Sequence, residues 1–152
     1  MTSDEFARRV EALEPVIYRV CRNSSHDRED AAREAILRAR EKRDGLREPR
    51  FFETRFIRIL INACHDIQRR NRRLVAMDAP PEPEPQPEHR DLYLALMALQ
   101  EKQRLCVLLH YIEGYSVREV ARMLGIGESA VKVRLMRGRK KLRQMLSEEV
   151  FK

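Results

Sequence analysis

The chain of 152 residues has no tryptophan, only five glycines and three cysteines, and no long apolar run. The scarcity of glycine argues against an all-β sandwich, whose many tight turns need it. No segment approaches the roughly 18 to 20 apolar residues of a transmembrane helix, so we expect no membrane insertion. The N terminus has no apolar stretch of the signal-peptide type, which favours a cytoplasmic protein.

The cysteines and histidines lack the spacing of a disulfide framework or a metal site. Cys21, Cys64 and Cys106 are odd in number and include no Cys-x-x-Cys pair. No glycine-rich phosphate loop or nucleophile motif occurs either. His65 and Asp66 are adjacent, but neighbouring residues on a helix point in different directions. The sequence therefore predicts a protein that has no metal site, needs no cofactor and is not an enzyme.

Positive charge is what the chain has in excess. There are 31 Lys and Arg against 24 Asp and Glu, for a net charge of +7. Four of the five residues in Arg69–Arg73 are arginine, and seven Lys or Arg accompany one acid in Glu128–Leu146. Two basic clusters that each end a helical segment favour DNA as the partner, although one such helix alone could be a solvated face.

A proline-rich segment divides the chain. The run DAPPEPEPQPEHRD contains five of the seven prolines. Proline removes backbone donors and disfavours helix at the residue before it. We therefore expect a semi-rigid linker at residues 77–90, between one domain at 1–76 and another at 91–152. A plain hinge remains an equally good interpretation.

Both flanking segments have the apolar periodicity of helices, and no period-two strand pattern occurs. In the first domain we predict a helix interrupted or kinked at Pro15, a helix over about 27–43 that ends near Gly45, and a helix over about 51–72. The fold class is therefore all-α: a three- or four-helix bundle followed by a second small helical domain.

The sharpest motif lies near the C terminus. Ser116 and Glu119 have the spacing of a capping box, and Gly125 and Gly127 enclose a tight turn. A basic helix is expected to follow over about Glu128–Leu146. Helix, glycine-containing turn and basic helix form a helix-turn-helix pattern, whose second helix enters the DNA major groove. An ordinary helical hairpin is the alternative.

These motifs resemble those of the sigma-70 family of RNA polymerase sigma factors, in particular its extracytoplasmic-function (ECF) group. The stretch LLHYIEGYSVREVARMLGIGESAVKVRLMRGRKKLRQML resembles family region 4, which reads the −35 promoter element. DREDAAREAILRARE resembles the region 2 helix that docks on core RNA polymerase, and RFIRILINACHDIQRRNRR resembles the segment that reads and opens the −10 element. The resemblance covers residues 10–148.

The resemblance implies a function and a set of partners. The protein would be a sigma factor, with region 2 and region 4 domains, that binds the β′ clamp and β flap of core RNA polymerase and directs promoter-specific initiation. Promoter DNA and an anti-sigma factor would be its other partners. It would be monomeric when free, cytoplasmic, and associated with the nucleoid when bound to polymerase.

The resemblance also implies roles for individual residues. Those implied for polymerase docking are Glu29, Asp30, Arg33 and Glu34. Those implied for the −10 element are Asn62, contacting bases, and Arg69, Arg70, Arg72 and Arg73, holding phosphates. Those implied for the −35 element are Lys132, Val133, Met136 and Arg137, with Glu128, Ser129 and Arg134 beside them. Apart from the resemblance, Asn62 could be an exposed amide and the arginines a dipole-favoured helix end.

Some positions depart from the family pattern. Arg33 stands where the family usually has Gln, Arg40 where it has a large aromatic residue, and Arg55 where it has Trp. Gly127 replaces the usual Ser as the cap of the last helix. The three departures in region 2 motivate one alternative, a sigma mimic that sequesters an anti-sigma factor. Another alternative is a conventional helix-turn-helix regulator, against which the absence of a ligand domain counts.

Overall fold

The computed structural model describes residues 2–24, 28–42, 48–73 and 90–150. Within these ranges every regular element is a helix, which confirms the all-α prediction. None of the helices in this part of the chain is long and apolar enough to cross a membrane. The predicted linker, apart from its last residue Arg90, lies outside the described residues.

Eight α-helices and one π-helical turn make up the described structure. The first four are α1 (Ser3–Ala12), α2 (Glu14–Ser24), α3 (Arg28–Glu41) and α4 (Pro49–Arg73). The others are α5 (Arg90–Ala98), α6 (Glu101–Val107), α7 (Val117–Leu124) and α8 (Glu128–Val150), and a π-helical turn at Leu108–Ile112 continues α6. The chain divides into two compact units, one containing α1 to α4 and the other built on α5, α6 and α8.

The predicted interruption near Pro15 is confirmed. The chain turns at Leu13 between α1 and α2, and Pro15 occupies the first turn of α2. Proline is tolerated there because its missing N–H would have no partner within the helix. At the other end of α1, the Thr2 hydroxyl accepts a hydrogen bond from the Glu5 backbone N–H at 3.2 Å and so caps the helix.

The core of the N-terminal unit forms where α4 packs against α2 and α3. Phe52, Phe56 and Leu60 of α4 are buried, and Phe6 meets Phe52 edge-on with ring centroids 5.9 Å apart. Burying one such side chain stabilises the fold by about 1.5–3 kcal/mol. The face of α3 toward this core consists of fully buried alanines, which leave room for a large neighbour: Ala31, Ala35 and Ala39.

Two of the predicted helix boundaries in this unit shift slightly. The helix predicted over 27–43 is observed as α3, which ends at Glu41, and the one predicted over 51–72 is α4, which starts two residues earlier at Pro49. The predicted end near Gly45 lies outside the described residues. Helix ends depend on capping geometry that periodicity alone does not encode.

The core of the C-terminal unit forms where α8 packs against α5 and α6. Val131 and Leu135 of α8 are buried, as their spacing predicts, and Gly138 continues the same face. A Cβ atom at Gly138 would lie only 2.7 Å from the Cγ2 atom of Val107. Glycine at this position therefore allows α8 to approach α6 closely, a role that the sequence pattern did not indicate.

The helix ends of this unit are satisfied by specific groups. The Arg104 guanidinium donates to the carbonyls of Leu96 at 3.0 Å and Leu99 at 2.9 Å, so it caps the C-terminal end of α5. Gly114 follows the π-helical turn with a φ of +83°, a left-handed conformation that favours glycine. Because glycine is the residue typical of the position just past a helix end, the sequence itself predicts this helix end.

Candidate nucleic-acid interface

The predicted capping box opens α7. The Ser116 hydroxyl accepts the Glu119 backbone N–H at 3.1 Å, and the Glu119 carboxylate accepts the Ser116 backbone N–H at 3.0 Å. The helix ends at Gly125, whose φ of +68° is left-handed, and the Ile126 N–H donates to the Ala121 carbonyl at 3.0 Å. These bonds fix the start and the stop of the first helix of the helix-turn-helix segment.

The turn leads directly into α8. Gly127 precedes the helix, and its carbonyl accepts the Val131 N–H at 3.2 Å. Glu128 then places a carboxylate in the first turn, where the helix dipole favours negative charge. The start of α8 at Glu128 agrees with the sequence prediction, while its observed end at Val150 lies four residues beyond the predicted one.

Most of the residues implied for the −35 element lie together on the solvent side of α8. The exposed members of that set are Glu128, Ser129, Lys132, Val133, Met136 and Arg137. Ser129, Val133 and Met136 recur at intervals of three and four residues, which places them on one face of the helix. That face lies opposite the buried Val131 and Leu135.

Lys140 belongs to the same face, although the sequence pattern did not single it out. It is exposed and follows Met136 by four residues and Arg137 by three. Within the described residues, Lys132, Arg137 and Lys140 form no salt bridge. The exposed face of α8 therefore presents cations that are available to phosphates or base edges. The spacing from Met136 is the signal that could have identified Lys140.

Arg134 is the member of the set that lies elsewhere. Its side chain is half-buried, and its guanidinium lies beside the buried Cys106 thiol of α6. Burial raises the pKa of the Cys106 thiol, and the charge of Arg134 opposes that rise. Arg134 thus lies toward the core of its own unit, whereas Lys132 and Arg137 face outward, and its role beside the −35 element stays a prediction.

The residues implied for the −10 element lie on α4. Asn62, Arg69 and Arg70 are exposed, while the side chains of Arg72 and Arg73 are outside the described part of the chain. A second cation that the sequence pattern did not mark, Arg58, is exposed four residues before Asn62. Residues four apart on a helix are neighbours, so Arg58 and Asn62 share a face.

Arg69 and Arg70 are held by carboxylates from two helices. Arg69 donates to Asp66 at 2.6 Å, and Arg70 donates to Glu34 of α3 at 2.6 Å. Arg38 donates to Asp66 at 2.8 Å and also to Glu34. These five residues form a carboxylate–arginine network that joins α3 to α4.

The network keeps both of its carboxylates ionised. Burial by itself would raise the pKa of Glu34, but hydrogen bonds from Arg70 and Arg38 outweigh it and the pKa is lowered. The pKa of Asp66 is lowered chiefly by the hydrogen bond from Arg38, against the effect of burial. At neutral pH both groups therefore carry the negative charge that positions the arginines.

The residues implied for polymerase docking separate into two groups. Glu29, Asp30 and Arg33 are exposed on α3, whereas Glu34 is engaged in the carboxylate–arginine network. Leu37, four residues after Arg33, is 58% exposed on the same outer side. Leu37 thus adds an apolar side chain to the exposed charges of this side of α3. Its position outside the buried alanine stripe of α3 could have identified it.

Comparison with known proteins decides the family. The family model described as sigma-70, region 4 matches residues 89–142. The ECF RNA polymerase sigma factor SigM of Mycobacterium tuberculosis is 33% identical over 137 residues, which cover 84% of this chain and 68% of SigM. The chain belongs to the ECF RNA polymerase sigma factors. A second relative, the RNA polymerase sigma factor CarQ of Myxococcus xanthus, is 31% identical, with 95% of this chain and 88% of CarQ covered.

Two solved structures share the fold of this sigma factor. The sigma factor RpoE of Bartonella quintana, in complex with the anti-sigma factor NepR, has a TM-score of 0.82 at 22% identity and covers 94% of this chain and 97% of its own. CnrH, in complex with the cytosolic domain of CnrY, has a TM-score of 0.75 at 24% identity, with 97% and 90% covered. The resemblance derived from the sequence motifs is confirmed at the level of family and fold.

Proposed function

We propose that this ECF sigma factor binds core RNA polymerase and directs it to promoters by contacting the −35 element through α8 and the −10 element through α4. The observation that carries the proposal is the exposed face of α8, where Lys132, Met136 and Arg137 project from a helix that follows a capped helix and a glycine turn. Membership in a family of transcription initiation factors supports it.

The −35 contact depends on a rigid helix that carries long side chains. Val131, Leu135 and Gly138 anchor α8 against its neighbours, so the opposite face is held without further ordering. Arg137 and Lys132 can donate to the O6 and N7 acceptors of guanine in the major groove. Lys140, further along the helix, suits a phosphate contact that sets the register.

The −10 contact combines a base-reading amide with oriented cations. Asn62 presents both a donor and an acceptor, which suits the edge of an unpaired base. Arg58, Arg69 and Arg70 suit the phosphates of the same strand, and the carboxylate–arginine network orients the last two. Capturing bases outside the duplex in this way favours strand opening where base pairs separate easily.

Polymerase docking is assigned to the outer side of α3. Glu29, Asp30, Arg33 and Leu37 supply charges around one apolar side chain there, and we propose that they bind the β′ clamp, while the C-terminal unit binds the β flap. We further propose domains at 1–76 and 91–152 joined by the linker at 77–90. Two tethered contacts then combine through effective concentration, so each can be weak.

An anti-sigma factor is proposed as a further partner, with the free protein a cytoplasmic monomer. The support is that RpoE, which shares the fold at a TM-score of 0.82, was solved with the anti-sigma factor NepR. In this proposal the anti-sigma factor and polymerase compete for the same chain, so release of the partner starts transcription.

Reconstitution with core RNA polymerase tests the proposed function. The full-length chain is mixed with bacterial core enzyme, the complex is isolated by size exclusion, and run-off transcription is measured on a pool of genomic fragments. Binding together with promoter-selective transcripts is the expected result. A chain that fails to bind core enzyme, yet binds an anti-sigma domain, would instead be the sigma mimic that Arg33, Arg40 and Arg55 motivate.

A further inference from the structure

Two apolar side chains, Val133 and Met136, lie at the centre of the exposed face of α8, between the cations on either side. Val133 is 41% exposed and Met136 is 55% exposed. At 3.6 residues per turn, Val133 lies about 200° around the helix from the buried Val131, and Met136 about 140°. The two side chains therefore point away from the core, while Lys132 and Arg137 lie to either side of them.

The centre of the exposed face is the part of a recognition helix that reaches deepest into the major groove, where side chains meet base edges. Lysine and arginine reach from the sides of the helix toward phosphates and guanine acceptors. Valine has no donor or acceptor, and the methionine sulfur is only a weak acceptor. The apolar group that an unmodified base pair presents in the major groove is the C5 methyl of thymine.

We propose that Val133 and Met136 recognise thymine methyl groups in the DNA bound by α8, and so determine part of its sequence specificity. This inference rests on the proposed −35 function of α8. Side chains three residues apart on a helix have Cβ atoms about 5–6 Å apart. Successive base pairs rise by about 3.4 Å. The two thymines therefore lie on adjacent base pairs or on base pairs separated by one other.

The two side chains differ in a way that assigns the contacts. Valine is short and stiff at χ1, so it contacts a methyl group directly beneath its own Cβ atom. Methionine is unbranched with three rotatable bonds, so Met136 can follow a methyl group that lies further out. Substitution of one residue should therefore affect one thymine and leave the other unchanged.

Replacement of thymine by deoxyuridine tests the inference, because it removes only the methyl group. The full-length chain, alone and with core RNA polymerase, first selects duplexes from a random-sequence pool. Each thymine of the selected site is then replaced by deoxyuridine and the affinity is measured. We expect two positions within three consecutive base pairs at which uracil weakens binding about fourfold, the effect of burying one methyl group.

Variants assign each position to a side chain. Met136→Ala should abolish the uracil effect at one position and retain it at the other, and Val133→Ala should do the reverse. Met136→Leu, which keeps an apolar side chain, should retain both effects. Leu94→Ala is the matched control, because Leu94 is also apolar and 52% exposed but lies on α5; it should change neither.

Two outcomes overturn the inference without touching the −35 proposal. One is a selected site at which uracil has no effect at any position. The other is an equal uracil effect in the wild-type chain and both alanine variants, because the methyl groups would then be recognised by other residues or through DNA shape. If neither the chain nor its polymerase complex enriches any sequence, the proposed function fails and the thymine contacts fail with it.

Discussion

Arg38 donates a hydrogen bond to Asp66 at 2.8 Å, which ties the helix assigned to polymerase docking to the helix assigned to the −10 element. The same guanidinium binds Glu34, so one cation sits between two carboxylates from different helices. Arg69 and Arg70 complete the network from the outside. Arg70 is therefore positioned directly by Glu34 of α3, and Arg69 indirectly, through the Asp66 carboxylate that Arg38 of α3 also binds.

Removal of Arg38 should destabilise the N-terminal unit. Arg38→Met keeps most of the apolar stem but leaves Glu34 and Asp66 without their shared cation. Hydrogen bonds to charged groups contribute about 1.5–3 kcal/mol each when buried. Because the Arg38 side chain is 30% exposed and solvent screens it, we expect a loss of about 1–2 kcal/mol in the free energy of unfolding.

Urea unfolding followed by circular dichroism measures this loss, and Arg33→Met is its control. Arg33 lies on the same helix, but its pair with Glu29 is 3.9 Å long and highly exposed. Surface pairs of that kind contribute little. Equal destabilisation by the two substitutions would show that the network contributes no more than a solvated ion pair.

Acid should weaken the same unit. The pKa values of Glu34 and Asp66 are lowered in the folded protein, so their contribution to stability is complete above their ordinary values of 4.5 and 3.8. It is lost as the pH falls from those values through the lower folded-state pKa values, because protonation removes the charge that binds Arg38. The thermal unfolding temperatures of the wild type and of Arg38→Met, measured between pH 7 and pH 3, should therefore approach each other as the pH falls.

Substitution of Glu34 should release a cation for DNA. In Glu34→Gln, Arg70 no longer shares its charge with a carboxylate, so a phosphate bound by Arg70 meets less competition and less repulsion. We expect binding of a single-stranded oligonucleotide to tighten about two- to fivefold at low salt, with a salt dependence steeper by about 0.7 in slope. Glu29→Gln is the matched control, because it removes the same charge from an exposed site on the same helix. An equal gain in the control would show that the tighter binding comes from the change in net charge alone.

Gly138→Ala should destabilise the C-terminal unit, although alanine is the better helix former by about 1 kcal/mol. The new Cβ atom would lie 2.7 Å from Val107 Cγ2, so α8 must shift or Val107 must move. Overpacking of this kind costs about 1–3 kcal/mol. A double-mutant cycle with Val107→Ala measures the coupling, and the double variant should recover part of the loss. Additive effects would mean that the contact is not the cause.

The sequence predicted the features that depend on local chemistry. The Ser116–Glu119 capping box follows from spacing and the break at Pro15 from residue type, and the structure confirms both. Val131 and Leu135 have the four-residue spacing of a buried helix face, and both are buried. Each is determined by residues within one or two helical turns, so periodicity and capping preferences are enough to locate it.

The features that the sequence did not reveal depend on residues far apart in the chain. Arg70 and Glu34 are separated by 36 positions, and no local pattern pairs them. Arg134 is half-buried beside the thiol of Cys106 on another helix, a neighbour that the spacing within α8 does not reveal. Gly138 looks like an ordinary helix glycine until Val107 is packed against it. Helix periodicity gives the face of a residue, whereas its partner depends on tertiary packing.

Substitutions of Arg137 and Lys140 should differ in their effects on specific and non-specific DNA binding. Both are exposed cations on one face of α8, but Arg137 lies nearer the N-terminal half, which enters the groove first. Arg137→Ala should weaken binding to the selected −35 duplex by about 1–3 kcal/mol and scarcely affect random DNA, because a base contact is lost. Lys140→Ala should weaken binding to both duplexes alike and lower the salt slope by about one, as loss of a phosphate contact does.

Lys102→Ala, which removes an exposed cation on α6, controls for the change in charge. Competition titrations with both duplexes at several salt concentrations measure the difference, and equal loss on both duplexes for Arg137→Ala would make Arg137 a phosphate contact.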